Sequence, residues 1–86
     1  MLELQLRSGQ VVTFDGRVVE VFTAGETSRR LHISQLANPQ LLVAADGVRT
    51  LALEDGTVTL AFAREEAPMC ARLIATLADA GRLTSN

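Results

Sequence analysis

The chain has no lysine, no tryptophan and no tyrosine, and it holds a single cysteine and a single histidine. One cysteine forms neither an internal disulfide nor a cysteine-based zinc site, so the fold must stand on its apolar core. With three Phe as the only aromatic residues, the stacking platforms used by single-stranded nucleic-acid binders are missing. The eight cationic residues are all arginine, scattered among ten acids for a net charge of -2. That is a solvated surface rather than a basic footprint, and no nucleic-acid partner is expected. No apolar run approaches the roughly 18 residues a membrane span requires. The strand pattern begins at Leu2, which leaves no room for the basic and apolar regions of a leader. The expected setting is cytoplasmic.

What is present is a short, aliphatic chain. A domain of 86 residues buries only about 60–65% of the surface its unfolded form exposes, so it has few core positions to spare for chemistry. The apolar fraction of 48% comes mainly from Leu, Val and Ala. Arginine in place of every lysine, beside that Ala, Leu, Val and Gly content, looks like the codon bias of a GC-rich bacterial genome.

Three Asp-Gly dipeptides, Asp15-Gly16, Asp46-Gly47 and Asp55-Gly56, each separate short alternating runs. Asp tolerates and Gly freely adopts positive φ, so the pairs predict two-residue type I′ hairpins. Leu2, Leu4 and Leu6 alternate with Glu3, Gln5 and Arg7 as a strand with one wet face. Ser8-Gly9 turns it into the run 10–14. The run 17–23 carries Val18, Val19, Val21 and Phe22, apolar on both faces, so its inward face stays open. Strand 28–34 sets Leu31 and Ile33 against Arg30, His32 and Ser34. From Ser34 to Pro39 the alternation fails, and an N-cap serine ahead of an Asn-Pro breaker predicts one helical turn there. Runs 41–45, 48–54 and 57–63 follow as strands, the last placing Val58, Leu60 and Phe62 on one face. Arg49 shares a face with Leu51 and Leu53, which predicts a strand-end arginine with its stem packed and its head in water.

From Glu65 the period becomes helical. Glu66, Cys70, Leu73, Ile74, Leu77 and Gly81 share one sector, with Arg72, Thr76 and Asp79 opposite. Glu65 and Glu66 suit the positive N-terminus, Pro68 the first turn, Gly81 a left-handed cap and Arg82 the negative end. The predicted fold is mainly β, with about seven antiparallel strands in two near-orthogonal sheets and one C-terminal amphipathic helix over their open end. It forms a single domain over residues 1–82, with 83–86 as a frayed tail.

That order, with its break after the fourth strand, resembles the pleckstrin-homology-like (PH-like) superfold in its small bacterial versions. The resemblance rests on Arg29-Arg30-Leu31-His32-Ile33-Ser34-Gln35-Leu36 and on the hairpin from Leu51 to Phe62. It implies a PH-like barrel and a scaffold that binds a peptide or another subunit. Eukaryotic members often bind phosphoinositides through basic residues on the loop joining the first two strands. Here that loop is Ser8-Gly9, flanked by Arg7 alone. Since each basic residue near an anionic surface contributes roughly 1 kcal/mol, a peripheral lipid-binding role would need Arg7, Arg29 and Arg30 to converge.

No phosphate loop, nucleophile constellation or metal-ligand spacing is present, so no enzyme activity and no metal or other cofactor are expected. The three aspartates read as turn residues. Asp46 and Asp55 lie at opposite ends of one strand, on the order of 23 Å apart. His32 reads as an exposed strand residue that a partner could contact, with Ser34 on the same face. Cys70 falls on the core stripe and reads as a small hydrophobe. Ala71, Arg72 and Ala75 leave a low-relief strip on the helix, a candidate self-association surface, and the first strand offers a free edge. The expectation is a non-enzymatic interaction module for a protein or peptide, through homodimerisation or with another chain. A lipid binder using Arg7, Arg29 and Arg30, with Arg7, Arg29, Arg30 and His32 as contact residues, is one alternative. A subunit of a bacterial or phage assembly is the other.

Overall fold

Leu2, Leu4 and Leu6 all turn inward, and the alternation that predicts the first strand also sets its pairing. In the computed structural model, which describes residues 1–36, 39–53 and 56–84, β1 (Leu2–Gln5), β2 (Val11–Phe14), β3 (Val18–Phe22) and β4 (Arg29–His32) form one antiparallel sheet in sequence order. A second antiparallel sheet holds β5 (Gln40–Val43), β6 (Arg49–Leu53) and β7 (Val58–Phe62). One helix, α1 (Ala67–Thr84), follows. Seven antiparallel strands in two sheets and a C-terminal helix are thus as expected, whereas among the described residues the ladders do not close into one continuous sheet.

The open question in the third strand is decided by register. Val19 pairs with Phe14 and Val21 with Val12, and all four are buried. Val18 and Phe22 therefore point outward, Phe22 with 40% exposure. Leu51 and Leu53 of β6 and Val58, Leu60 and Phe62 of β7 supply the inner face of the second sheet. Against them α1 lays Cys70 and Leu73, both essentially inaccessible, with Ile74 and Leu77 half-buried beside them. Arg49 begins β6, half-buried, its Nη1 donating to the Gly47 carbonyl at 3.0 Å.

The hairpins lie where the Asp-Gly pairs place them, but their chemistry differs. At the first, Asp15 precedes the two-residue loop instead of entering it. Its Oδ1 accepts the N–H groups of Arg17 and Val18 at 2.9 and 2.8 Å. Gly16, with φ +102°, takes the first central position, where a II′-type loop needs glycine. At the second, Ala44 N–H donates to Val48 and Gly47 N–H to Ala44. This is a three-residue loop ending in a left-handed glycine bulge. The β1–β2 loop repeats the pattern, Leu6 donating to Gln10 and Gly9 to Leu6, though it carries no Asp-Gly pair. At the third, Gly56 N–H reaches Leu53; Asp55 lies outside the described residues.

Two further expectations shift. The mid-chain turn is a 3-10 segment, Ile33–Gln35, so Ser34 lies inside it and does not cap it; Ala37 and Asn38 lie outside the described residues. The cap role goes to His32, whose Nδ1 accepts the Ser34 N–H at 3.2 Å. Gly81 does not stop the helix, which runs to Thr84. Glycine permits a left-handed cap without enforcing one, and the Arg-Leu pair that follows consists of good helix formers.

Candidate functional site

The strand expected over 41–45 forms over Gln40–Val43, and for all its apolar residues β5 is exposed along its whole length. Leu41, Leu42 and Val43 are 43%, 61% and 57% accessible. Leu41 pairs with Leu51 and Val43 with Arg49, so these two share the inner face of the sheet, where α1 leaves them largely uncovered. Leu42 points the other way, beside Thr50. Among the described residues, the outer edge of β5 has no strand neighbour.

Leu41 stands between two apolar clefts. One of ≈ 310 Å³ runs between the α1 residues Ile74 and Leu77 and the chain at Leu36 and Leu51. The other, of ≈ 280 Å³, lies toward the start of α1, where Ala71 and Ala75 face Leu41 and Arg49. The low-relief strip on the helix and the bare strand therefore form one continuous apolar surface. Both alanines are exposed, as is Arg72, which does not line the cleft. The signal that could find β5 is its lack of any charge between Gln40 and Ala45, since strands at sheet edges usually carry one.

The cationic candidates do not come together. Arg7 opens the loop after β1, its Nη1 3.2 Å from Glu65 Oε2, with both side chains mostly in water. Arg29 and Arg30 lie on β4, at the other edge of the same sheet, three strand spacings or about 14 Å away. Arg30 Nε lies 3.9 Å from Glu20 Oε2, its cross-strand partner. Arg29 borders a polar hollow of ≈ 700 Å³ with Thr23, Thr27, Thr57 and Thr59.

His32 and Ser34 do meet, Nδ1 to Oγ at 2.8 Å, both exposed. The same Nδ1 accepts the Ser34 backbone N–H, so this nitrogen is an acceptor and the neutral ring carries its proton on Nε2. The pair caps a turn. Asp15 and Asp46 are likewise engaged by their own turns; Asp46 Oδ1 accepts Val48 N–H at 3.1 Å. The N–H groups of Val18 and Arg17 hold the Asp15 carboxyl below its ordinary value. Cys70 is a free, buried thiol, and desolvation pushes its pKa up, the opposite of what a reactive thiolate needs. Among the described residues there is no cluster of three or more His, Cys, Asp or Glu placed to hold a metal, and no helix is long and apolar enough to cross a membrane.

Sequence reasoning missed two polar residues that join distant parts of the chain. Glu66 is buried, one oxygen accepting Arg7 N–H at 3.0 Å and the other Ala63 N–H at 2.9 Å. Gln10, just before β2, reaches to the edge of β7. Comparison with protein-family profiles, curated proteins and solved structures finds no match to this chain.

Proposed function

We propose that this protein is a non-enzymatic interaction module that binds a protein or peptide along β5 and the adjoining flank of α1. The observation that carries the reading is the exposure of three consecutive apolar residues, Leu41, Leu42 and Val43, on a strand edge that has no neighbour among the described residues. Such an edge offers main-chain hydrogen bonds for affinity and apolar side chains for specificity. Support for a PH-like arrangement, with the two sheets crossing at near right angles, comes from the division into four strands and then three, followed by a helix. The non-enzymatic reading draws on the engagement of His32, Asp15 and Asp46 in local turns. A cytoplasmic setting accords with the single free thiol. A lipid site at Arg7, Arg29 and Arg30 gains nothing from their placement at opposite sheet edges, and a subunit of a bacterial or phage assembly would use the same β5 surface.

Photo-crosslinking tests this. A photoreactive phenylalanine analogue in place of Leu42 is expected to form protein adducts in cells of the source organism. The same probe in place of Arg17, on an exposed hairpin loop, is expected to form none. Absence of adducts at position 42 removes the reading.

A further inference from the structure

Resting on that reading, we propose that the occupant of the β5 edge is a second copy of this chain, paired antiparallel about a two-fold axis through Leu42. The phase of the ladder decides which backbone groups are available. Ala44 donates to Val48, and bonded and non-bonded pairs alternate along an antiparallel ladder. Gln40 and Leu42 therefore face β6 with their N–H and C=O groups, while those of Leu41 and Val43 point away from it. A two-fold axis at Leu42 brings Leu41 opposite Val43 of the other copy, and each pair exchanges two hydrogen bonds. Four new backbone bonds join the two three-stranded sheets into one of six strands.

The side chains match under the same operation. Leu42 faces its own counterpart on the outer surface, and Leu41 packs beside the other copy's Val43 on the inner one. A residue on a two-fold axis meets itself, so any charge there repels its twin. Gln40 to Ala44 carries no charge. The other edges are guarded: β1 carries Glu3, β4 carries Arg29 and Arg30, and β7 has its Thr59 and Ala61 backbone groups taken by Gln10. Ala71 and Ala75 on the neighbouring helix flank leave space for the incoming strand.

The test is the solution mass of the full chain by light scattering, together with a register-specific crosslink. The expected mass is twice the 9.2 kDa of one chain. Leu42→Lys, which sets two like charges on the axis, is expected to halve it while leaving cooperative thermal unfolding intact, because the side chain is 61% exposed. In a Cys70→Ala background, Leu42→Cys is expected to oxidise to a disulfide-linked dimer. Its Cα atoms in a non-bonded pair would lie about 4.5 Å apart, within disulfide range. Val43→Cys is expected not to, since it faces Leu41. A monomer whose position-42 probe captures other proteins overturns the second copy and leaves the interaction reading standing; a monomer without adducts removes both. A dimer that survives Leu42→Lys and forms no Leu42→Cys disulfide has its interface elsewhere and also overturns the proposal.

Discussion

The carboxamide of Gln10 takes the place of a strand residue beside Ala61. Its Oε1 accepts Ala61 N–H at 3.0 Å and its Nε2 donates to the Thr59 carbonyl at 2.9 Å. These are the two groups a further strand would bind on the free side of β7. One side chain thus ties the four-stranded sheet to the three-stranded one, where no backbone ladder joins them among the described residues.

Gln10→Ala should therefore destabilise the protein by roughly 1–3 kcal/mol, the usual cost of leaving a partly buried donor unpaired, here the Ala61 N–H, while the exposed Thr59 carbonyl turns to water. Denaturant unfolding measures the loss, and hydrogen exchange at Ala61 should accelerate more than exchange at Leu60, whose strand partner is Leu51. Equal acceleration at both amides would mean that the amide bridge is not what protects this edge.

Much of the fold is legible because alternation needs no knowledge of neighbours. Leu2-Leu4-Leu6, Val58-Leu60-Phe62 and the Cys70-Leu73 stripe all turn inward as their spacing implies. Val18, Val19, Val21 and Phe22 defeat that logic because both faces are apolar, and only pairing with Val12 and Phe14 chooses one. Leu41, Leu42 and Val43 defeat it differently: local sequence cannot show that the packed helix leaves β5 largely uncovered. Gln10 and Glu66 act on partners 51 and 59 residues away, beyond the reach of any window along the chain.

Glu66 offers a sharper case, because its carboxylate is buried and both oxygens accept backbone N–H groups, from Arg7 and from Ala63. Glu66→Ala orphans two donors, each at roughly 1–3 kcal/mol. Glu66→Gln should cost less, since the carboxamide oxygen can still serve one donor while its NH₂ meets the other. By contrast Glu65→Ala, which removes only the exposed pair with Arg7, should stay within about 1 kcal/mol. Thermal or urea unfolding of the three variants checks the order, and a Glu65 effect as large as that of Glu66→Ala would contradict it.

Asp15 sets a pH dependence. Hydrogen bonds from Val18 and Arg17 lower its folded-state pKa from the ordinary 3.8, so folding favours the ionised form. The contribution is complete above the unfolded-state value and is lost as pH falls through it toward the folded one. Asn keeps an acceptor oxygen for the same turn but does not titrate. The melting temperature of the unaltered protein should therefore fall more steeply below about pH 4 than that of Asp15→Asn. Parallel acid slopes in the two proteins would assign the acid sensitivity to other carboxylates.

Gly47 and Gly56 both have positive φ, +90° and +87°, but their surroundings differ. A Cβ at Gly56 would meet nothing within 4 Å, whereas at Gly47 it would lie 2.8 Å from Cγ and 3.0 Å from Cδ of Arg64. Those atoms belong to the stem of the arginine, so the whole side chain must move to make room. Gly56→Ala should show the left-handed backbone cost alone, about 1–2 kcal/mol. Gly47→Ala should exceed it, and the excess should vanish when Gly47→Ala is made in an Arg64→Ala background, as a double-mutant cycle detects. If the excess persists without Arg64, the additional strain lies in the loop backbone and not in the arginine that crosses it.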